Sequence, residues 1–302
     1  MEVLTEGAFA KLNLTLDVLD RREDGYHNLK SIMQTVSLHD DVTVHVDTGA
    51  PWQLHCYREL LPEKENAGAE TVLETEGFPQ GAENLAWKAA QAFYARTGID
   101  VPGLEIFINK RIPMQAGLGG GSADAAAVLR ALDRHYGMPL SIPALCELGA
   151  QVGSDVPFCV LGGSALVEGR GELLTRLPEH PEIYFVICKP DFSVSTAELY
   201  RQLDESFIEK RPDQRAMMSN LQKGDHLGIA GSLCNVFEPL VMKEHFDVNY
   251  IRSMMCTYGA YGAQMTGTGS AVFGIYDSFE YASVACMMLR ETYSDVYLAA
   301  SV

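Results

Sequence analysis

The sequence has no stretch of about 18 consecutive apolar residues, the minimum for a membrane-spanning helix. Its first residues, MEVLTEGAFAKLNL, lack the basic segment with which a secretory signal peptide begins. The seven cysteines include no C-x-x-C pair, and neither they nor the eight histidines show a metal-ligand spacing. We therefore expect a cytoplasmic protein with reduced thiols, without a membrane partner and without metal-ligating side chains.

Positive charge is also scarce. The 23 lysines and arginines are outnumbered by 40 aspartates and glutamates, and the formal net charge is −17. This acidic balance argues against a nucleic-acid partner. It also repels any anionic ligand, which local devices such as helix N-termini, backbone N–H groups and a few basic side chains would have to hold.

Segments with strand and helix patterns alternate over both halves of the chain, whose 302 residues suggest about two domains. In EGAFAKLNLTLDVLD the apolar residues alternate with Lys11, Asn13 and other polar residues, which predicts a half-buried strand. Asp24-Gly25 predicts a turn, and ENLAWKAAQAFYARTG predicts a helix from Asn84. Residues 47–82 show no clear pattern.

PMQAGLGGGSAD, at residues 113–124, separates the predicted strand GLEIFINKRI from the predicted helix ADAAAVLRALDRHYG. A strand, a glycine loop and a helix N-terminus together can bind phosphate. The first helical N–H groups are unpaired, and glycines let the backbone approach the oxygens. Ser122 can cap the helix or offer its hydroxyl to a phosphate or to Mg²⁺. The alternative is a flexible surface loop.

Two familiar phosphate loops match this segment poorly. A P-loop needs a lysine after the glycines, and a dinucleotide fingerprint needs a glycine where Ser122 stands. A nucleotide-dependent oxidoreductase therefore remains only as an alternative. A second segment, MTGTGSAVFGIY, brings Gly267 and Gly269 in front of an apolar strand. It is either a simple turn or a second glycine loop that meets the first at one anionic ligand.

P-x-x-x-G-L-G-x-G-S-A at residues 113–123 resembles the ATP-binding motif of the GHMP kinases, a superfamily of small-molecule kinases. With AKLNLTLDVLDRREDGYHNLKSIMQTVSL, GSDVPF and MTGTGSAVFG, the order and spacing resemble the 4-diphosphocytidyl-2-C-methyl-D-erythritol kinases. The sequence departs from that family at Phe9, where Pro is usual, and at Thr266, where Ser is common. Residues 47–82 match poorly.

The resemblance implies a mixed α/β and α+β fold with the two-domain GHMP architecture. Residues 1–165 would form an α/β ATP-binding domain, and residues 166–302 a ferredoxin-like α+β domain. It implies that ATP, with Mg²⁺, phosphorylates the 2-hydroxyl of 4-diphosphocytidyl-2-C-methyl-D-erythritol in non-mevalonate isoprenoid synthesis. The alternatives are another GHMP kinase, against which DGYHNL argues, and a non-catalytic nucleotide-binding relic, against which Lys11 and Asp155 argue.

By the same resemblance, Asp155 is the catalytic base and Lys11 its partner, although from the residues alone Asp155 could be only a helix cap and Lys11 only a strand lysine. His27 would read the cytosine edge, its ring nitrogen donating to cytosine N3. The implied substrate residues are Asn13, Tyr26, His27, Thr196 and Tyr200. The implied ATP-binding residues are Asn84, Lys110, Pro113, Met114, Gln115, Ala116, Gly117, Leu118, Gly119, Gly120, Gly121, Ser122, Ala123, Gly267 and Gly269.

Overall fold

The computed structural model describes residues 2–47, 49–60, 72–100 and 103–302. Its strands are β1 (Glu2–Arg21), β2 (His27–Val46), β3 (Gln53–Leu60), β4 (Val72–Glu74), β5 (Leu104–Asn109), β6 (Ser164–Gly169), β7 (Leu173–Arg176), β8 (Tyr184–Lys189), β9 (Cys234–Asn235), β10 (Gly262–Met265), β11 (Val272–Tyr276) and β12 (Asp295–Ala300). Its helices are α1 (Leu85–Thr97), α2 (Gly120–His135), α3 (Ile142–Val152), α4 (Val156–Leu161), α5 (Thr196–Asp204), α6 (Gln214–Lys223), α7 (His226–Gly231), α8 (Glu238–Glu244), α9 (Phe246–Thr257) and α10 (Phe279–Arg290). None of these described helices is long and apolar enough to cross a membrane.

The chain forms two compact units, and the long strands β1 and β2 contribute to both. The first unit consists of Met1–Phe9, His39–Ile112 and Gly120–Leu161, and the second of Ala10–Leu38, Pro113–Gly119 and Gly162–Val302. The proposed division between residues 165 and 166 concerns the family's domains and stays a prediction.

In the first unit, β5 lies between two neighbours. It pairs in parallel with β3 and antiparallel with the end of β2, and β4 extends the sheet beyond β3. Helices α1 and α2 pack against each other, and both contain small buried residues, among them Ala89, Ala90 and Ala127. The side chain of Asn84 caps α1 at its start, and Gly98 ends it in the left-handed conformation, as the sequence predicted.

The second unit contains an antiparallel sheet of four strands in the order β10–β11–β8–β12. Helices α9 and α10 pack on this sheet, and their buried residues share one core with Val186, Cys188 and Tyr276. The chain runs from a strand through helices to two strands, a helix and a last strand. That is the β-α-β-β-α-β pattern of a ferredoxin-like fold, so the expected architecture of the C-terminal part is confirmed.

Two strand predictions need correction. The polar face of β1 is buried as well as its apolar face, since Lys11, Asn13 and Thr15 are each less than 5% exposed. Other parts of the second unit cover that face, which alternation alone could not reveal. Strand β2 begins at His27, directly after the turn, and so is longer than its alternating part suggested.

The segment 47–82, which showed no pattern, holds β3 and β4 in its described part. Residues 48 and 61–71 lie outside the described residues. Among the residues of β3 whose side chains are described, Leu54 and Cys56 are the buried hydrophobics, so the apolar signal of this part is short.

A buried cluster of charges joins β2, the end of β5 and helix α2. The ammonium group of Lys110 donates to Asp40 and, over 2.7 Å, to Asp124, and all three residues are at most 5% exposed. Burial by itself lowers the pKa of Lys110, but the two carboxylates outweigh it and raise that pKa. Burial raises the pKa of the Asp124 carboxyl to about 7. The cluster therefore holds the start of α2 against the sheet.

Replacing Lys110 by Met should lower the free energy of unfolding by about 3–5 kcal/mol, because it leaves buried carboxylates without a counter-charge. Arg111→Met is the matched control: Arg111 pairs with Asp41 where both side chains are more than a third exposed, and such pairs contribute about 0–1 kcal/mol. Urea denaturation of both variants measures the difference. Equal losses would show that the buried cluster does not stabilise the fold.

Candidate active site

The first glycine loop ends in helix α2, which begins at Gly120, three residues earlier than the sequence suggested. Gly117 and Gly119 have φ values of +74° and +72°, which other residues rarely adopt. Gly120 differs, because it is helical and a Cβ there would lie 3.1 Å from the Ile112 side chain and 3.3 Å from Lys110 Nζ. The loop thus needs glycine for conformation at two positions and for space at a third.

The two glycine segments contact each other through their backbones. The N–H of Ala271 donates to the carbonyl oxygen of Ala116 over 3.1 Å. A Cβ on Gly117 would lie only 2.3 Å from the carbonyl oxygen of Thr266, and a Cβ on Gly267 would lie 3.0 Å from that of Gly117. Side chains at these two glycines would force the segments apart.

Lys11 lies beside both segments. Its backbone N–H donates to the carbonyl oxygen of Leu118 over 3.0 Å, and its ammonium donates to Asn13 Oδ1 over 2.6 Å. A Cβ on Gly267 would be 3.4 Å from Lys11 Nζ. The buried strand therefore places this ammonium group against the backbone of the second glycine segment.

Asn13 continues the same network. Its Nδ2 donates to Ser31 Oγ over 2.8 Å, and its backbone N–H donates to Thr266 Oγ1 over 3.0 Å. The hydroxyl that accepts this bond is common to Thr and Ser, so the departure from the family pattern at Thr266 keeps the acceptor. The proposed contact of Asn13 with substrate stays a prediction.

The sequence analysis missed two residues, Asn235 and Glu238, whose side chains bind the backbone of the second glycine segment. Asn235 Nδ2 donates to the carbonyl oxygens of Met265 and Gly267, each over 2.8 Å. Glu238 accepts from the N–H of Met265 over 2.8 Å, and burial raises the pKa of this carboxyl. Asn235 ends β9 and Glu238 begins α8, and no local sequence signal marks either residue.

Asp155 belongs to the first unit and directly precedes α4, where its carbonyl oxygen accepts from the N–H of Cys159 over 3.1 Å. The side chain is partly buried. A Cβ on neighbouring Gly153 would lie 3.8 Å from Ser122 Oγ. The segment that carries Asp155 therefore lies against the first turn of α2.

The proposed base-reading residues lie at the turn between β1 and β2. The ring of His27 stacks on Tyr200, with centroids 4.9 Å apart and an angle of 26° between the planes. His27 Nε2 lies 2.7 Å from Asp204 Oδ1. The Tyr26 side chain is exposed, and the guanidinium of Arg170 lies over its ring at 4.2 Å. The sequence analysis did not identify Asp204 or Arg170.

Three further proposed ligand contacts already have protein partners. Asn84 uses its side chain to cap α1 and to donate to the carbonyl oxygen of Pro79, and Lys110 belongs to the buried charge cluster. Thr196 Oγ1 shares a hydrogen bond of 3.0 Å with Thr268 Oγ1. Their contacts with ligands stay predictions.

The start of α2 fits a phosphate group. A helix leaves its first N–H groups without intrahelical partners, and here these belong to Gly120, Gly121 and Ser122. A Cβ on Gly121 would meet only the Leu85 side chain, at 3.7 Å, so the approach is open. Among the described residues, no group of three or more His, Cys, Asp or Glu side chains could hold a metal ion.

Comparison with known families gives two matches. The GHMP kinases N terminal domain matches residues 84–163, and the GHMP kinases C terminal domain matches residues 217–295. These ranges include the first glycine loop, Asp155 and the second glycine segment.

Among curated relatives, the 4-diphosphocytidyl-2-C-methyl-D-erythritol kinase of Moorella thermoacetica is 41% identical over 300 residues, which cover 98% of each chain. The kinase of the same name from Alkaliphilus metalliredigens is 39% identical over 97% of this chain and 94% of its own. A crystal structure of 4-(cytidine 5'-diphospho)-2C-methyl-D-erythritol kinase matches with a TM-score of 0.77 and 32% identity, covering 99% of both chains.

Replacing Gly117 by Ala should destabilise the protein and weaken ATP binding, because the new Cβ would lie 2.3 Å from a backbone oxygen. Gly98→Ala is the control, since Gly98 has a similar φ of +68° but no atom within 4 Å of a Cβ. We expect Gly98→Ala to cost about 1–2 kcal/mol for backbone strain alone, and Gly117→Ala to cost more. Denaturation and calorimetry with an ATP analogue measure both effects. If the two variants lose the same stability and bind the analogue alike, the contact between the glycine segments is unimportant.

Proposed function

The chain belongs to the 4-diphosphocytidyl-2-C-methyl-D-erythritol kinases of the GHMP kinase superfamily, and on this basis we propose how its residues perform the reaction. It is a small-molecule kinase of isoprenoid biosynthesis that uses ATP. We propose that the acceptor is the 2-hydroxyl of 4-diphosphocytidyl-2-C-methyl-D-erythritol, and that the protein works in the cytoplasm. The scatter of the seven cysteines, without a C-x-x-C pair, supports that location.

The observation that carries the proposal is the meeting of Lys11 with the two glycine segments. Phosphoryl transfer depends mainly on positioning and on positive charge near the transferred group. The ammonium of Lys11 is buried, bonded to Asn13 and close to Gly267, so it is held in one place. A lysine on the exposed face of a strand would not be buried in this way.

We propose that the N–H groups at the start of α2 and the backbone of the glycine segments hold the phosphates of ATP. When bound, ATP supplies the phosphoryl group, and Mg²⁺ would be held chiefly by phosphate oxygens, as is usual for this ion. Asp155 accepts the proton of the substrate hydroxyl, and Lys11 orients that hydroxyl and offsets negative charge in the transition state. Asn13 contacts the hydroxyls of the erythritol.

Replacing Asp155 by Asn should keep both ligands bound and lower kcat by about 10²- to 10⁴-fold, the usual contribution of a positioned acid or base. Asp225→Asn is the control, because Asp225 only caps α7 and Asn caps equally well. ADP release measures the rates, and calorimetry measures binding. A rate for Asp155→Asn that equals the control would reduce Asp155 to a helix cap.

The double variant of Lys11→Met and Asp155→Asn should be about as slow as the slower single variant, since residues that act as a unit are not additive. The same ADP-release assay measures all three. Rate losses that multiply fully would show that the two groups act separately.

The protein should also prefer its cytidine substrate over the uridine analogue in kcat/KM. We expect His27→Ala to reduce this preference by about 10- to 100-fold, because a mismatched buried polar group costs about 1–3 kcal/mol. Tyr26→Ala should weaken both substrates alike, because stacking does not distinguish the two bases. If His27→Ala leaves the ratio intact, main-chain groups read the base instead.

A further inference from the structure

The side-chain amide of Asn235 is fixed in one orientation. Its Nδ2 carries two hydrogens, and both are used, because Nδ2 donates to the carbonyl oxygens of Met265 and Gly267 over 2.8 Å each. Its Oδ1 accepts from the N–H of Phe237 over 3.0 Å. Asn235 is only 4% exposed, so little water competes for these bonds. The amide cannot turn without leaving buried polar groups unpaired, which is costly.

The bond to Gly267 also fixes the direction of the next N–H group. In a planar trans peptide, the carbonyl oxygen and the N–H point to opposite sides. The peptide between Gly267 and Thr268 is trans. Because the Gly267 oxygen points to Asn235, the N–H of Thr268 points away from Asn235.

Two N–H groups at this point have no acceptor in the described part of the chain. They belong to Gly267, which is buried, and to Thr268, which is half-buried. Buried N–H groups are nearly always paired in folded proteins. The neighbouring groups follow that rule, since the N–H of Thr266 donates to Ala271 and that of Gly269 donates to Thr266, each over 2.9 Å. Gly267 and Thr268 can therefore bind an acceptor from outside the chain.

The surroundings favour an anion as that acceptor. Gly267 has a φ of +58°, and a left-handed residue lets successive N–H groups converge into an anion-binding concavity. A Cβ on Gly267 would lie 3.4 Å from Lys11 Nζ, so an ammonium group is close to the same peptide. Carbonyl oxygens that faced the same point would repel an anion, and Asn235 binds two of them.

We propose that Asn235 is the positioning residue that makes the second glycine segment a phosphate site. By binding the carbonyl oxygens of Met265 and Gly267, it directs the N–H of Thr268 toward a phosphate group. The inference rests on the proposed function, which supplies two ligands with phosphate groups, ATP and the cytidine diphosphate substrate. Asn235 acts only through the backbone of the segment.

The first test measures both KM values in Asn235→Asp. The new side chain has nearly the same shape, but a carboxylate only accepts, so it would face two carbonyl oxygens. We expect the KM for at least one of the two ligands to rise about tenfold, the effect of losing one hydrogen bond to a charged group. The ligand whose KM rises is the one whose phosphate lies at Thr268. A purely structural role would lower kcat through loss of active enzyme and leave both KM values unchanged, and that result would overturn the proposal.

Asn220→Asp is the matched control. It removes the same kind of donor from the same unit, since Asn220 Nδ2 donates to Ser232 Oγ over 3.0 Å, away from the glycine segments. Both KM values of this variant should equal those of the wild type. A rise equal to that of Asn235→Asp would show that the effect does not come from the second glycine segment.

A second test uses the wild type and needs no folded Asn235 variant. In protein labelled with nitrogen-15 threonine, the backbone N–H signal of Thr268 is assigned by its loss in Thr268→Ser. We expect this signal to move when a non-hydrolysable ATP analogue or CDP is added, and to stay in place with adenosine or cytidine, which lack phosphate. No movement with either phosphate probe, or equal movement with the nucleosides, would overturn the proposal.

The outcomes separate this inference from the proposed function. If the wild type releases no ADP with the cytidine substrate while the Thr268 signal moves with a phosphate probe, the proposed function is wrong and the role of Asn235 stands. If the wild type turns over and Asn235→Asp keeps both KM values, the proposed function stands and only the role of Asn235 is wrong.

Discussion

The close approach of two backbone segments is the constraint on which the candidate site depends. The carbonyl oxygen of Thr266 occupies the space that a side chain at Gly117 would need. This approach lets the N–H of Ala271 reach Ala116 and brings Gly267 to the ammonium of Lys11. Asn235 and Glu238 hold the second segment from its other side. The candidate site therefore contains main-chain atoms of the two glycine segments. Side chains such as Asn235 and Glu238 hold these atoms in position without having to contact a ligand.

In the proposed function, this construction is what lets a chain with a net charge of −17 hold an anion. Overall charge acts against the ligand, so attraction must come from dipoles and charges at short range. Not every nearby lysine serves that purpose. Lys110 is paired with Asp40 and Asp124 and anchors the start of α2. Lys11 lies against the backbone of the second glycine segment and donates to Asn13 Oδ1.

The residues proposed to read the base also depend on a distant part of the chain. His27 Nε2 lies 2.7 Å from Asp204 Oδ1, and the His27 ring stacks on Tyr200 of the same helix, α5. The first residue of that helix, Thr196, shares a hydrogen bond with Thr268 of the second glycine segment.

Local rules were enough for much of the fold. Asn84 marked the start of α1 correctly, because capping depends on a few neighbouring residues. The motifs and their order identified the family, which the comparisons confirm. Strand β3 and the full length of β2 escaped notice, because their apolar signal is short or interrupted.

The sequence by itself determined α1, most of α2, the glycine segments and the family, because each of these depends on adjacent residues. Only the tertiary structure decided that the polar face of β1 is buried, that Lys110 lies between two carboxylates, and that Asp204 meets His27 177 positions away. These features depend on residues far apart in the chain. Local patterns of alternation, capping or charge do not indicate which distant residue lies next to each of these side chains in the fold.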